Sequence, residues 1–496
     1  MEIKIVIGED EKEYTVMSYT PIKFVDAMNE LGLNFYRPCG GIGKCFNCAI
    51  RFVYGAPEMT AYDENGLDFN DMRNGYRMGC QCIIDKDCKI QVPKALVSPI
   101  ISPVSDSGSE EEIDYKKTAI AIDIGTTTIA IAIVEAATGR ILRQYALTNS
   151  QLKYGADVMT RVKAAMEGHA KELQNCVRDD LIGFGKNFQG DIMHTQRIVF
   201  AANSIMTHLF LGYTVDGFAA SPFIPYTLDA IKFVESKREV YFMPSISPFV
   251  GGDIVSGLYH INKLSAGDTF LFVDLGTNAE IVLYNGSQYL VASASAGPAL
   301  EGAGLSCGTA SVRGAINHLS IINGQCKYTT IGDEAPIGIC GSGVIDTIHE
   351  LHRGGLIDDG GLFVPEYDEG YPIAPGITMT PEDVQAVLLA KSAVYSGIQV
   401  LFQEAGLDSW DEIGHLYVAG GLGSAVSVWA AAGIGIFPKQ LIEKFQSVGN
   451  TSLLGAIDFI ADSDEKALEA IRQQSRQVEL ANHPAFEALF LDNLRL

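Results

Sequence analysis

The sequence predicts an α/β protein in which a small, cysteine-bearing β-rich unit precedes a duplicated α/β domain. Three observations carry this prediction. The first is CGGIGKCFNC at residues 39–48, three cysteines in a glycine-rich stretch. The second is a segment between about 95 and 117 that contains SPIISPVSDSGSEEEIDYKK, rich in Pro, Ser and acid, and reads as a linker. The third is an internal repeat whose two copies each carry Asp-x-Gly-Thr after an apolar strand.

Taken in chain order, residues 1–94 open with two alternating strands around Ile3–Ile7 and Tyr14–Met17, followed by a helix-like PIKFVDAMNELGL. The cysteine stretch comes next, then a strand in AIRFVYG and an alternating run in RMGCQCIIDKDCKIQVP. After the linker, AIAIDIGTTTIAIAIVEAATGRILRQYAL (119–147) and TFLFVDLGTNAEIVLYNGSQYLVASAS (269–295) share one layout of strand, Asp-x-Gly-Thr, strand, turn and strand. The two copies place a first lobe over 118–266 and a second over 267–496, with a cleft between them. SDEKALEAIRQQSRQVEL (463–480) reads as an amphipathic closing helix.

At 496 residues the chain is long enough for about three domains. Its 36 basic and 60 acidic residues leave a net charge of −24, which repels polyanions and argues against a nucleic-acid partner. No uninterrupted apolar run approaches the roughly 20 residues that span a bilayer, and the amino terminus lacks the features of a signal peptide. A cytoplasmic protein without membrane contact is expected. Six of the ten cysteines precede residue 90, a clustering that in a reducing compartment points to metal rather than disulfides.

Cys39, Cys45 and Cys48, with Cys80 in RMGCQC as a distant fourth, have the ligand spacing of a ferredoxin-type 2Fe-2S cluster. A structural zinc site would call for paired Cys-x2-Cys knuckles, and a thioredoxin-like pair would leave Cys39 unused. Cys82 and Cys88 are surplus and read as packed thiols, with Cys82 a rival to Cys80. In the repeat, Asp123 and Asp274 end their strands where a carboxylate holds water on Mg²⁺, while Gly125, Thr126, Thr127 and Thr128 and the matching Gly276, Thr277 and Asn278 surround phosphate oxygens. One such turn is a capped hairpin, whereas two in register about 150 residues apart form a motif. LYVAGGLGSAV, with Gly420, Gly421 and Gly423, suits close approach of a nucleotide, and PIGICGSGVID is a similar turn; close helix–strand packing explains either one alone. His208 in NSIMTHLFLG reads as a core or helix-face histidine.

With these stretches, and with NSQLKYGADVMTRV, PSISPFVGGDI, AGPALEGAG and VGNTSLLGA, almost the whole chain resembles the reductive activators of corrinoid proteins. These are ferredoxin-fused members of the acetate and sugar kinase/Hsp70/actin superfamily. The resemblance implies a β-grasp 2Fe-2S ferredoxin domain joined to two ribonuclease-H-like lobes that clasp ATP and Mg²⁺, in a homodimer. It assigns Asp123 with Gly125 to Thr128, and Asp274 with Gly276 to Asn278, to two phosphate loops, and Gly420, Gly421 and Gly423 to adenosine. Asp253, in VGGDI, falls where the superfamily supplies a group near the attacking water, and is the implied base. Several such activators carry a further middle domain, whereas here DIGTTT follows the linker directly.

The implied activity is ATP-dependent one-electron reduction of a corrinoid protein from Co(II) to Co(I), fed by an upstream electron donor. A plant-type cluster sits at about −400 mV. A cobalt couple roughly 100 mV lower would cost about 2.3 kcal/mol per electron, which ATP can supply. Three rivals remain at this level: an electron donor to another iron–sulfur enzyme such as a dehydratase, a small-molecule kinase with a regulatory cluster, and an actin-like scaffold. The dehydratase activators share a cluster between subunits through cysteines of the ATPase part, and Cys176, Cys307, Cys326 and Cys340 show no paired spacing here.

Overall fold

The computed structural model describes residues 3–9, 12–31, 33–35, 48–67, 69–92, 97–99, 101–105, 113–155, 157–186, 194–322, 324–420 and 426–496. The chain divides into two compact units, Met1–Ser102 with Leu152–Ala156, and Pro103–Gln151 with Asp157–Leu496.

In the first unit, β1 (Ile3–Glu9) and β2 (Lys12–Ser18) form an antiparallel hairpin, extending the predicted strands at their ends. Helix α1 (Phe24–Glu30) is shorter than its apolar pattern predicts, because Ile22–Lys23 is taken up by a short strand paired with Ile83–Ile84. The unit adds β3 (Ala49–Tyr54), β4 (Tyr76–Met78) and β5 (Cys88–Gln91), giving a mixed sheet in the order β2-β1-β5-β3-β4 with β1 parallel to β5. Alternation puts Ile3, Ile5, Ile7, Ile50, Phe52 and Ile90 into one core with Phe24 and Met28 of α1. The run predicted as one alternating stretch from Arg77 is broken by a 3₁₀ turn at Gly79–Gln81, which lifts Cys80 out of the ladder.

Within 95–117, Val97–Pro99 pairs with Leu33–Phe35, and β6 (Ile101–Ser105) forms the edge of a seven-stranded sheet. That sheet contains the first copy of the repeat, β7 (Thr118–Ile124), β8 (Thr128–Glu135) and β9 (Ile141–Thr148), an antiparallel meander. β10 (Arg197–Ala202) runs parallel to β7, followed by α2 (Ser204–Leu211), β11 (Ile231–Glu235) and β12 (Arg238–Phe242); the order is β6-β9-β8-β7-β10-β12-β11. Helix α3 (Gly252–Ser265) closes this half.

The second copy repeats the meander as β13 (Phe270–Leu275), β14 (Ala279–Tyr284) and β15 (Tyr289–Ala294). β16 (His415–Ala419) lies parallel to β13 and is followed by β17 (Phe445–Gly449), α5 (Thr451–Asp462) and β18 (Ser475–Gln477), after the intervening α4 (Pro381–Glu404); the order is β17-β16-β13-β14-β15-β18. The predicted closing helix therefore ends early: Asp464 caps a helix over Glu465–Gln473, and the next residues add a parallel edge strand beside β15. Helix α4 has the length and apolarity of a membrane span, yet 72% of that window is buried, and it packs on β14 and β15 as a core helix.

Each sheet turns one face toward α3 and α5. Ala119, Ala121, Phe270, Phe272 and Val282 meet Val255, Leu258, Ala456 and Phe459 in one buried cluster. The two helices cross closely at Gly455, where a Cβ would lie 1.7 Å from the Ser256 carbonyl. This shared layer brings both strand-end aspartates to the same region of the second unit.

Candidate functional site

Asp123 ends β7 on the face turned to α3 and α5, two residues beyond Ala121. Its Oδ2 accepts a hydrogen bond from Asn450 Nδ2 and its Oδ1 from Ser452 Oγ, both at 2.8 Å. Asn450 is also the N-cap of α5, its Oδ1 accepting from the Leu453 N–H, so one amide caps the helix and ties it to the first lobe. Burial raises the Asp123 pKa while these two donors oppose the shift.

The loop after Asp123 turns tightly, with Gly125 N–H donating to Thr128 C=O at 3.0 Å. Thr127 and Thr128 are exposed and Thr126 half-buried. Asn149 donates from Nδ2 to Gly125 C=O, and Arg161 from Nη2 to Thr126 C=O at 2.6 Å. Arg161 is fully buried, bonds Gln151 as well, and is pushed down to about 10 by burial, which leaves it cationic at neutral pH beneath the loop. A cation held under a hydroxyl-bearing turn favours an anionic ligand above it.

In the second lobe, Asp274 ends β13 in the matching position, and among the described residues no hydrogen bond reaches its carboxylate. Gly276 N–H donates to Asn278 C=O at 3.1 Å, and Thr277 Oγ1 donates to Glu301 Oε2 at 3.0 Å. Gly420, at the end of β16, has a φ of +88°, and a Cβ there would lie 2.9 Å from Asp274 Oδ1 and 2.5 Å from Leu275 C=O. Only glycine fits a backbone passing so close behind the carboxylate. Gly421 and Gly423 lie outside the described residues.

Asp253 sits in the first turn of α3, where its Oδ1 accepts from Ile254 N–H at 2.8 Å. Burial first, then the charge of Asp123, raises it to about 7; burial first, then Asp253, Asp123 and Glu301, raises Asp274 to about 7. Two more carboxylates belong to the group. Burial and the charges of Asp253 and Asp274 push Glu280 on β14 well above its ordinary value, and burial raises Glu301. The site is thus a set of crowded oxygen donors whose repulsion a divalent cation relieves, a chemistry that fits Mg²⁺. Among the described residues no three His, Cys, Asp or Glu side chains converge into a metal cage. A surface depression of 620 Å³ lined by His352, Asp358, Asp359 and Arg495 includes none of these groups.

Of the expected cluster ligands, Cys39 and Cys45 lie outside the described residues. Cys48 is buried just before β3, and Cys80 is half-buried in its 3₁₀ turn. Gly79 N–H donates to Cys48 C=O at 2.9 Å, so the chain segments bearing both thiols are held side by side. Cys82 belongs to the apolar core and burial pushes its thiol up to about 12, the state of a packed thiol. His208 is buried, its Nδ1 2.6 Å from Ser204 C=O and its ring edge-on to Phe218, and burial lowers its pKa, as a core histidine requires.

Asn450, Ser452, Glu280, Glu301 and Arg161 carry no site assignment in the sequence reading. Asn450, Ser452 and Glu301 lie in VGNTSLLGA and AGPALEGAG, stretches whose small residues signal tight turns but not which side chain reaches the cleft. Glu280 follows the ordinary alternation of β14 and has no local signal.

Comparison with known proteins bears on the whole chain. Residues 268–496 match the family model described as the C-terminal domain of RACo, the ASKHA domain, and residues 118–263 match that of the RACo middle region. The stretch opening with DIGTTT, read from sequence as following the linker without a middle domain, is thus the part matched by the middle-region model. Over 417 residues the chain is 32% identical to the corrinoid activation enzyme RamQ of Eubacterium limosum, covering 75% of this chain and 69% of that protein. It is 25% identical over 385 residues to the Co(II) methylated amine-specific corrinoid protein reductase of Methanosarcina barkeri, covering 69% and 70%. A solved structure, the reductive activator for corrinoid,iron-sulfur protein, superposes with a TM-score of 0.69 over 100% of this chain and 98% of that one, at 24% identity, a likeness of fold.

Proposed function

Because this chain belongs to the RACo family of corrinoid-activating enzymes, we propose that it spends ATP on one-electron reduction of a corrinoid protein, carrying cobalt from Co(II) to Co(I). The observation that carries this reading is the crowded carboxylate site between two phosphate-loop turns, on a chain that aligns over most of its length with enzymes named for corrinoid activation. Among the described residues no basic group lowers the pKa of Asp253 or Asp274, and MgATP would supply a cation there.

In this reading residues 1–94 form a 2Fe-2S ferredoxin domain, 95–117 the linker, 118–266 and 267–496 the ATPase lobes. Cys39, Cys45, Cys48 and Cys80 would hold the cluster, which when bound supplies electrons one at a time at low potential. Asp123 and Asp274 would hold the hydrated Mg²⁺, which when bound supplies charge neutralisation, and Asp253 would stand beside the attacking water. Thr126, Thr127 and Thr128 with Gly125, and Thr277 and Asn278 with Gly276, bind the phosphates. Gly420, Gly421 and Gly423 make room for adenosine. Arg161 and Asn149 keep the first loop in shape beneath the phosphates. An upstream one-electron donor and pairing of two copies complete the proposal.

The test mixes the reduced protein, ATP and a cobalt(II) corrinoid protein under strict anaerobiosis and follows the Co(I) absorption band. The band is expected only when reductant and ATP are both present. Cys80→Ala should lose the visible absorption of the protein and the reaction together, while Cys82→Ala keeps both. Reduction of a dehydratase iron–sulfur protein, or phosphorylation of a small molecule, with no Co(I) formed, would replace this function with the matching rival.

A further inference from the structure

Asp274, Glu280 and Ser293 stand in one row across three adjacent strands. Asp274 opposes Glu280 between β13 and β14, and Glu280 opposes Ser293 between β14 and β15. Directly opposed residues of antiparallel strands share a face, with Cβ atoms about 4.5–5.5 Å apart. That face is the one turned to α3 and α5, since Phe272, Val282 and Val291, each two residues from a member of the row, pack there. Ser293 Oγ donates to Glu280 Oε1 at 3.3 Å.

The first lobe supplies the control. There Asp123 opposes Ala130 and Ala130 opposes Ala146, so the same row reads Asp-Ala-Ala. The duplicated fold has no need of a carboxylate at this place, and a half-buried carboxylate among other carboxylates costs free energy, so its presence marks a role other than stability.

We propose that Glu280 accepts the proton of the water that attacks the γ-phosphorus of ATP, an assignment that rests on the ATP-hydrolysing reading above. The water oxygen forms its bond to phosphorus as the bond from phosphorus to the β–γ bridging oxygen breaks. ADP leaves with that electron pair, and the water proton passes to the Glu280 carboxylate and then to solvent. Asp253, in the first turn of α3 with its Oδ1 accepting from the Ile254 N–H, orients the water. Asp274, at the head of the row beside the second phosphate loop, stays with the ion. Ser293 is a positioning residue that holds one Glu280 oxygen.

ATP binding and steady-state hydrolysis by the full chain, wild type and E280Q, test this. E280Q keeps an oxygen for Ser293, so it should bind ATP with unchanged Kd while kcat falls about 100-fold or more, and E280D should recover part of the loss. Equal kcat for E280Q and wild type overturns the proposal, and so does a folded E280Q that no longer binds ATP, because that marks a structural role. A wild-type chain that neither binds nor hydrolyses ATP overturns the functional reading along with it, whereas normal wild-type turnover with an unaffected E280Q overturns the proposal alone. Should E280Q not fold, S293A leaves the carboxylate in place and is expected to lower kcat about tenfold at constant KM; an unchanged kcat there is equally decisive against it.

Discussion

The two lobes share a meander and an aspartate at the same strand end, yet their aspartates live in different surroundings. Each oxygen of Asp123 accepts one hydrogen bond, from Asn450 and from Ser452 at the start of α5, and its loop is braced from below by Arg161 and Asn149. The Asp274 carboxylate accepts no hydrogen bond among the described residues, has a glycine at its back, and has a row of polar residues, Glu280 and Ser293, beside it where the first lobe has alanines. Duplication supplies a frame with two equivalent corners. The two corners differ in their partners: at the first the carboxylate ties a helix to a sheet, and at the second no hydrogen bond among the described residues reaches the carboxylate.

The largest effect expected from this contrast is on turnover and the next on stability, and the two separate the lobes. Asp274→Ala and Asp123→Ala should each reduce ATP hydrolysis on the order of 10³-fold if both hold the hydrated ion. Only Asp123→Ala should also destabilise the protein, by about 3 kcal/mol, because it strands the Asn450 amide and the Ser452 hydroxyl that its carboxylate accepts. Urea unfolding of the nucleotide-free variants reads the second quantity. Equal losses of stability would erase the distinction drawn here.

How much of this was legible in the sequence follows from how local each signal is. Asp123 and Asp274 stand out because an Asp-x-Gly-Thr turn is a local motif and appears twice, and Gly420 because a positive-φ glycine at a strand end sits in a visible glycine cluster. Asn450 and Ser452 reach Asp123 across more than three hundred residues of chain, a contact set by the packing of α5 against β7 that no local pattern encodes. Glu280 was hidden by its own regularity, since the alternation of AEIVLY gives a solvent-facing and a cleft-facing glutamate the same pattern. The closing helix was overextended because Ser475–Gln477 is drawn into a strand by an available edge at β15, a tertiary effect.

The crowding of carboxylates where the lobes meet adds a pH dependence. Burial and mutual repulsion raise Asp253 and Asp274 to about 7, against about 3.9 for an unfolded aspartate. A raised carboxyl holds its proton more tightly when folded, so its contribution to stability is complete below about pH 4 and is lost as pH rises through about 7. Asp274→Asn removes the repulsion. Without nucleotide or Mg²⁺ this variant should be more stable than wild type by about 2 kcal/mol at pH 8, the gain shrinking toward pH 4. Thermal unfolding at the two pH values measures it, and an equal gain at both would show that charge is not its source.

The smallest expected effect tests the joint on the other side. Asn450 makes two bonds with one side chain, capping α5 through Oδ1 and holding Asp123 through Nδ2. Removing a cap costs about 1 kcal/mol, and Ser452 still satisfies one Asp123 oxygen, so Asn450→Ala should lose about 1–2 kcal/mol of stability. Its effect on ATP should be the opposite of that of Asp274→Ala. With one donor gone, Asp123 is less committed to α5, and the first corner becomes more like the second, so MgATP affinity should hold or rise severalfold while the unfolding midpoint falls. Nucleotide titration and urea unfolding of the same preparation decide it: a fall in affinity as large as that caused by losing Asp274 would mean that Asn450 itself belongs to the nucleotide site, and the division of labour between the lobes would have to be redrawn.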